Sequence, residues 1–239
     1  MVLYGEKGRI ALILPHEDYT TEYEFNKIAP LSVAFYATRI KLKSVTQEDL
    51  LKMSKEVEIA VERLPPKIDL IIYHCTSGSF VLGPQWEKDL LDQIRRKAGL
   101  LAISTMESVI EALKALKLNK ISLVTPYTKD LNKKEIDYLA KFEIKVLKDI
   151  ALSLTSSEDM CALEQEEIHK SVKEVDSSDA DGVFISCTAL KTMGLIDRLE
   201  KELDKPVLSS NSATLWYSLR KLDVKSANVR GYGSRLFRV

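Results

Sequence analysis

The chain has 239 residues, and its 35 Lys and Arg residues balance 35 Asp and Glu residues, so the formal net charge is zero. This balance gives no electrostatic reason to expect nucleic acid or an anionic membrane as a partner. With 45% hydrophobic and 29% charged residues, the composition is that of a folded soluble protein and excludes disordered and collagen-like classes. No apolar run approaches the roughly 20 residues of a membrane span, and residues 1–7 lack the apolar core of a signal peptide. We therefore expect a cytoplasmic protein.

Short apolar runs alternate with segments of helical periodicity along almost the whole chain, which predicts an α/β fold with parallel strands covered on both faces. In chain order, the predicted strands are Ile10–Leu14, Val33–Ala37, Leu70–His74, Leu101–Ile103, Ile121–Thr125, Lys145–Ile150, Val183–Ser186 and Val207–Leu208. The predicted helices are Gln47–Leu64, Gln85–Lys97, Glu107–Leu116, Asp130–Phe142, Ser157–Val175, Met193–Leu203 and Ala213–Leu222. Eight short strands fit two small sheets better than one large sheet.

Three segments recur in type and in the same order later in the chain. They are residues 9–15 (RIALILP) with 120–126 (KISLVTP), offset 111; residues 69–76 (DLIIYHCT) with 181–188 (DGVFISCT), offset 112; and, more faintly, residues 103–105 with 208–210, offset 105. Such an internal repeat indicates a duplication. The sequence thus predicts two similar Rossmann-like α/β subdomains with short parallel sheets, related by a pseudo-twofold axis.

The repeat also predicts how the chain is divided. Residues 1–106 are expected to form the first α/β half, and residues 107–211 the second. Residues 212–239 are expected to pack back on the first half. Within that segment, residues 227–239 carry three arginines, and such a short basic tail is typically a mobile end.

Two of the three cysteines, Cys75 and Cys187, occupy equivalent positions in the repeat, each followed by threonine just past the carboxyl end of a predicted strand. Ligands bind at that edge of open α/β sheets. If the halves face each other, the two thiols flank one cleft. A single cysteine is more often a buried structural residue, but two matched positions favour a function. Cys161 has no counterpart in the repeat, and we interpret it as a packing residue.

A thiolate can act as a nucleophile or as a base near neutral pH if neighbouring donors lower the thiol pKa. The backbone N–H groups of Thr76, Ser77 and Gly78 could cradle a carboxylate, and Thr188 could do the same from the other half. These residues could equally cap turns and helices. No close pair of cysteines, no paired histidines and no Gly-rich nucleotide-binding loop is found, so we predict no metal and no cofactor.

Other cysteine chemistries fit less well. A tyrosine-phosphatase loop needs arginine six residues after the cysteine, whereas Val81 and Met193 stand at those positions. A Cys–His hydrolase needs a histidine at the thiol, but His74 is adjacent to Cys75 on a strand and should point to the opposite face. We interpret His74 as a packing residue or one that supports the site indirectly.

Several motifs together resemble one family over nearly the whole chain. They are Leu14-Pro15 before Thr20-Thr21-Glu22, CTSGS at 75–79, TPY at 125–127 with DLN at 130–132, ISCT at 185–188, and PVLSSN at 206–211 before Leu215-Trp216. They resemble the cofactor-independent Asp/Glu racemase superfamily, in the branch of maleate cis–trans isomerases and arylmalonate decarboxylases. The resemblance implies a site between two similar domains, a homodimer, and a small carboxylic acid as substrate.

The resemblance also implies roles for individual residues. Decarboxylases of this branch have glycine in place of the first cysteine, so Cys75 favours an isomerase or a racemase. In the isomerases, the residue at Cys75 adds to the double bond and the one at Cys187 acts as acid and base. In a racemase, the pair would exchange a proton at Cα from opposite faces. Tyr127 corresponds to a tyrosine that binds the substrate.

Two positions depart from the family pattern. Where the family has an asparagine that holds a substrate carboxylate, this chain has Asp18, which would repel one, although His16 could compensate. A second family asparagine falls near Ser157. Both departures argue against maleate itself and favour an acid with a cationic amine or a single carboxylate.

Three hypotheses follow. The first is an isomerase of the maleate cis–trans isomerase type. The second is a decarboxylase of the arylmalonate type, or an amino-acid or hydantoin racemase, on the same scaffold. The third, suggested by the altered positions 18 and 157, is a non-catalytic protein that binds carboxylates.

Overall fold

The computed structural model describes residues 4–226 and 229–239. Residues 1–3 of the predicted first half and residues 227–228 of the predicted tail lie outside the described residues. The strands are β1 (Gly8–Pro15), β2 (Val33–Ile40), β3 (Leu70–Tyr73), β4 (Leu101–Ser104), β5 (Lys120–Thr125), β6 (Lys145–Ala151), β7 (Gly182–Ile185) and β8 (Val207–Ser209). All eight predicted strands are thereby confirmed.

The helices are α1 (Thr20–Ile28), α2 (Gln47–Lys55), α3 (Val57–Glu62), α4 (Thr76–Leu82), α5 (Pro84–Ala98), α6 (Thr105–Ala115), α7 (Lys129–Ala140), α8 (Ser157–Ala162), α9 (Gln165–Val175), α10 (Leu195–Leu203) and α11 (Ser210–Lys221), followed by a short 3₁₀ helix (Leu236–Arg238). Two predicted helices are each divided in two, at Glu56 and at Leu163–Glu164. Two further helices, α1 and α4, were not predicted. Both start with Thr or Ser residues of modest helix propensity, so packing and capping rather than local preference stabilise them.

The strands form two parallel four-stranded sheets, in the orders β2-β1-β3-β4 and β6-β5-β7-β8. The second order is the first shifted by four strands, as a duplication requires. The central strands β3 and β7 are buried along their whole length, because helices cover both faces of a parallel sheet. The predicted fold class is therefore confirmed.

Equivalent helices of the two halves pack against each other. Helix α6 follows β4 and α11 follows β8, and the two lie side by side. Each has an N-cap serine just before its first residue, whose hydroxyl accepts a backbone N–H three residues later: Ser104 from Glu107 and Ser209 from Ser212. This is the third repeat pair of the sequence. The division into residues 1–106, 107–211 and 212–239 stays a prediction; two of its boundaries fall within α6 and α11.

The described part of the C-terminal tail is packed against the protein. Tyr232 is fully buried and its hydroxyl donates to Glu24 of α1, while the backbone N–H groups of Gly231 and Gly233 donate to Asp197 of α10. Gly233 has a φ of +82°, and a Cβ there would lie 2.7 Å from a methyl carbon of Ile196. The expectation of a mobile end is wrong for residues 229–239, because buried hydrogen bonds fix them.

Within residues 4–226 and 229–239, no helix combines the length and the apolar character needed to cross a bilayer.

Candidate active site

A small cavity lies at the carboxyl ends of β3 and β7, between the two halves. Cys75 and Cys187, each two residues beyond its strand, both line it. Its volume is about 30 Å³, room for little more than water. A four-carbon acid therefore enters only if the surrounding side chains move.

Eight of the nine predicted site residues line this cavity: Asp18, Cys75, Thr76, Ser77, Tyr127, Ser157, Cys187 and Thr188. The ninth, Gly78, contacts the Cys75 sulfur through its backbone N–H instead. Five further residues, most of them apolar, were not predicted: Pro15, Leu42, Val45, Met160 and Ala189. Pro15 ends β1 and belongs to the first repeat pair, although it was not predicted as a site residue; the other four come from loops and from helix α8, which folding brings to the strand ends.

Cys75 immediately precedes helix α4 and occupies its N-cap position. The Gly78 N–H group and the Ser77 hydroxyl, whose oxygen is 3.6 Å from the sulfur, favour the thiolate and lower the thiol pKa. Burial has the larger effect, so the pKa of Cys75 is raised overall. The thiol is protonated in the closed cavity, and its donors reduce the cost of ionising it.

Tyr73 is a neighbour of Cys75 that the sequence analysis missed. Its hydroxyl lies beside the sulfur, and this interaction lowers the pKa of Cys75. The hydroxyl has no fully formed hydrogen bond among the described residues although it is buried. A Cβ at Gly78 would lie 2.5 Å from this hydroxyl, so glycine is the residue that lets Tyr73 and the start of α4 approach the same sulfur.

Cys187 has an unusual backbone conformation, with a φ of +103°. A non-glycine residue there is strained, and such strain is found mainly at functional sites. Its backbone N–H donates to the Ser210 hydroxyl at 3.0 Å. Burial raises the pKa of the Cys187 thiol strongly, although the Ala189 N–H group and the Tyr127 hydroxyl act in the opposite direction. Cys187 is therefore held as a protonated thiol.

The strain at Cys187 makes a stability prediction. We expect Cys187→Gly to be more stable than Cys187→Ala by about 1 kcal/mol, because relief of about 1–3 kcal/mol of backbone strain exceeds the entropic cost of glycine. Urea unfolding of both variants measures the difference. The same pair at Cys161, inside helix α8, is the control, and there glycine should be less stable by about 1 kcal/mol. If the alanine variant were the more stable one at both positions, Cys187 would not be strained.

Tyr127 is buried between the two cysteines. Its ring packs edge-on against Phe80, with 5.4 Å between the ring centroids. Burial and the nearby Cys187 and Cys75 sulfurs raise the pKa of Tyr127 well above its usual range. The hydroxyl therefore stays protonated and can donate a hydrogen bond to a thiolate or to a carboxylate.

Asp18 is buried and its carboxylate caps helix α1. One oxygen accepts the backbone N–H groups of Thr20 and Thr21, both at 3.0 Å, and the other accepts the Thr21 hydroxyl at 2.7 Å. His16 does not compensate its charge, so that expectation is wrong. The His16 ring accepts the Leu42 N–H group and lies 3.7 Å from Glu17, outside the cavity lining.

The remaining predicted binding residues are held by the surrounding fold. Ser157 begins helix α8, which also brings Met160 to the cavity. The Thr76 hydroxyl donates to Ser210 at 3.1 Å, and the Thr188 carbonyl accepts the Asn211 amide at 3.0 Å. The hydroxyl of Thr76 is thus committed within the protein.

His74 points away from the cavity, and its packing interpretation is consistent with its contacts. One ring nitrogen contacts the hydroxyl of Thr21 and the amide oxygen of Asn211, and the other contacts the hydroxyl of Thr105. Burial lowers the pKa of His74 to about 4, so the ring is neutral. Cys161, which contacts the Glu17 carbonyl at 3.6 Å, does not line the cavity either.

Ser210 contacts the backbone or side chains at both cysteine positions, Thr76 next to Cys75 and Cys187 itself. It was not predicted as a site residue. Its hydroxyl accepts from the Thr76 hydroxyl of the first half and from the Cys187 N–H of the second. It belongs to the third repeat pair, residues 208–210, which was the available signal. As for metals, the described ranges 4–226 and 229–239 contain no group of three or more His, Cys, Asp and Glu residues placed to hold an ion.

Residues 10–237 match the family model described as arylmalonate decarboxylase. The chain belongs to this family. It is 27% identical over 233 residues to a maleate isomerase of Geobacillus stearothermophilus, covering 91% of this chain and 93% of that protein. It is 28% identical over 206 residues to the arylmalonate decarboxylase of Bordetella bronchiseptica, covering 85% of each.

Among solved structures, the chain is similar to the Nocardia farcinica maleate cis–trans isomerase. The TM-score is 0.90 at 25% sequence identity, and the match covers 97% of this chain and 98% of that one. The family therefore includes relatives named for two different reactions, and the residues of the cavity must decide between them.

Proposed function

We propose that this protein is a cofactor-independent isomerase of the maleate cis–trans isomerase type, acting on a small unsaturated carboxylic acid. The observation that carries the proposal is the pair Cys75 and Cys187, which come from equivalent strand ends of the two halves and line one buried cavity. A curated relative at 27% identity is named maleate isomerase. Family resemblance associates decarboxylation with a glycine at the first position, and this chain has cysteine there.

In the proposed reaction, Cys75 first loses its proton to the water that the entering acid displaces, and its thiolate then adds to one carbon of the double bond while Cys187 gives its proton to the other. A C–S bond and a C–H bond form, and the former double bond becomes a single bond about which the acid rotates. Reversal of both steps releases the trans acid and restores both cysteines. A protonated Cys187 suits the donor role, and the Tyr127 hydroxyl can bind the carboxylate on which charge develops.

The test is NMR of the purified protein in deuterated buffer with maleate, (Z)-but-2-enoate, phenylmalonate and a panel of amino acids. We expect a cis acid to convert to its trans isomer, and we expect the Cys75→Ala and Cys187→Ala variants to be inactive. Loss of carbon dioxide from phenylmalonate would instead make the protein a decarboxylase. Deuterium at Cα of an amino acid, with no alkene isomerised, would make it a racemase.

We further infer a homodimer and a cytoplasmic location as parts of this proposal. The dimer rests on analogy with the family, and the location on the sequence alone. Sedimentation equilibrium tests the first, since a single species at the mass of one chain would contradict it. Cell fractionation tests the second.

A further inference from the structure

Asp18 sits in the cavity together with both cysteines. Among the described residues that line the cavity, it is the one charged side chain, and it is only 3% exposed. No Lys, Arg or His side chain of the described chain lies within salt-bridge distance of its carboxylate. The cavity therefore contains a fixed negative charge without a protein cation.

The hydrogen bonds of Asp18 do not exhaust its capacity. Its three donors come from residues 20 and 21 of α1, and a carboxylate has about four acceptor positions. A neighbouring guanidinium, that of Arg39, donates to the main-chain carbonyl of Asp18 and pairs with Glu22. One acceptor position of Asp18 is thus left for a ligand, and the local cation is paired elsewhere.

We propose that Asp18 selects a substrate in which a cationic nitrogen stands where maleate has its second carboxylate. This inference rests on the proposed function, since it names the substrate class of the same cavity. The carboxylate of such an acid meets the donors of Tyr127, of the start of α4 and of the loop after Cys187. Its ammonium group donates to Asp18.

The charges in the cavity support this choice. A dicarboxylate brings two negative charges to a buried site that already holds one, and like charges repel strongly where water is excluded. The Asp18 charge also raises the pKa of both cysteine thiols. A bound ammonium group neutralises Asp18, so the substrate itself makes Cys75 easier to ionise.

Binding is tested with three saturated acids that cannot isomerise: succinate, butyrate and 4-aminobutyrate. For the wild-type protein, calorimetry should show 4-aminobutyrate binding at least about tenfold more tightly than succinate, with butyrate between them. For Asp18→Asn, succinate should gain and 4-aminobutyrate should lose affinity. Asparagine caps helices as well as aspartate does, and equal thermal stability of the two proteins checks the fold. Succinate binding as tightly as 4-aminobutyrate to the wild type, or no binding of any acid, would overturn the inference.

Turnover is tested separately with the matching cis alkenes: maleate, (Z)-but-2-enoate and (Z)-4-aminobut-2-enoate. We expect kcat/KM to be highest for the amino acid in the wild type, and this order to reverse in Asp18→Asn. Cysteine-dependent turnover of maleate in preference to the amino compound would support the isomerase and refute the role of Asp18. Selective binding of 4-aminobutyrate without turnover of any alkene would support Asp18 and refute the isomerase.

Discussion

Replacing either Cys75 or Cys187 with alanine is expected to lower kcat/KM by about 10³-fold or more, because the two thiols perform complementary steps of one reaction. Cys161→Ala is the matched control: it removes a third buried thiol, which does not line the cavity. Its kcat/KM is expected to stay within about twofold of the wild type. The rates are measured by following the double-bond protons of the substrate by NMR.

The two variants should differ in what they accumulate. In Cys187→Ala, Cys75 can still add to the substrate, with water in place of Cys187 supplying the proton to the other carbon. No thiol remains to remove that proton again, so an adduct is expected on Cys75. Intact-protein mass spectrometry should show one substrate mass added, and peptide mapping should place it. Cys75→Ala should show none. An adduct on Cys187 in that variant would reverse the assigned roles.

The fold could be predicted because duplication gives every local signal twice. The strands β1 and β5 were recognised by the same apolar run ending in proline, and the Cys-Thr pairs located the ends of β3 and β7. Helices α1 and α4 have no comparable signal. Helix α4 reads TSGSFVL, with glycine and hydroxyl residues that local preference assigns to a turn. It forms because tertiary contacts position it after Cys75.

The candidate site was less accessible to sequence reasoning. The repeat predicts that Cys75 and Cys187 line one cavity, and they do. The position of His74 next to Cys75 in the chain predicts that its side chain points away from that cavity, and this is also the case. The sequence could not show that the His16 ring lies near Glu17 and not near Asp18, because closeness in the chain does not fix the direction in which a side chain points. Nor could it show that the Ser210 hydroxyl accepts hydrogen bonds from Thr76 of the first half and Cys187 of the second, because these contacts exist only once the halves are packed.

The same offset that relates the strands also relates two buried glutamates. Glu24 of α1 and Glu135 of α7 are 111 residues apart, since 135 − 24 = 111, and both side chains are buried. Glu24 accepts four donors: the Tyr232 hydroxyl of the tail, the Asn211 amide of α11, and the Thr192 and Met193 N–H groups of the loop after Cys187. Glu135 accepts only the Ser186 hydroxyl, at 2.6 Å, and its other oxygen has no partner among the described residues.

This difference makes Glu135 the stronger source of pH-dependent stability. Burial raises the pKa of Glu135 from 4.5 to about 8, so the folded protein holds the carboxyl neutral at pH 7 while the unfolded chain ionises it. Between these values the folded state binds more protons than the unfolded state. The free energy of unfolding therefore falls as the pH rises through this window, by up to about 1.4 kcal/mol per pH unit, and is level outside it.

Glu135→Gln is expected to remove this dependence, because the amide keeps the oxygen that accepts the Ser186 hydroxyl and cannot ionise. At pH 5 the variant should match the wild type closely, and at pH 8 it should be more stable by about 3–5 kcal/mol. Urea unfolding at both pH values measures the difference. Glu174→Gln, at an exposed position of α9, is the control and should change stability equally little at both. Parallel curves of unfolding free energy against pH for wild type and Glu135→Gln would mean that the Glu135 carboxyl ionises in the folded state. Because Glu135 contacts Ser186, the residue before Cys187, the loop that holds Cys187 would then have to admit water or a cation beside the carboxylate.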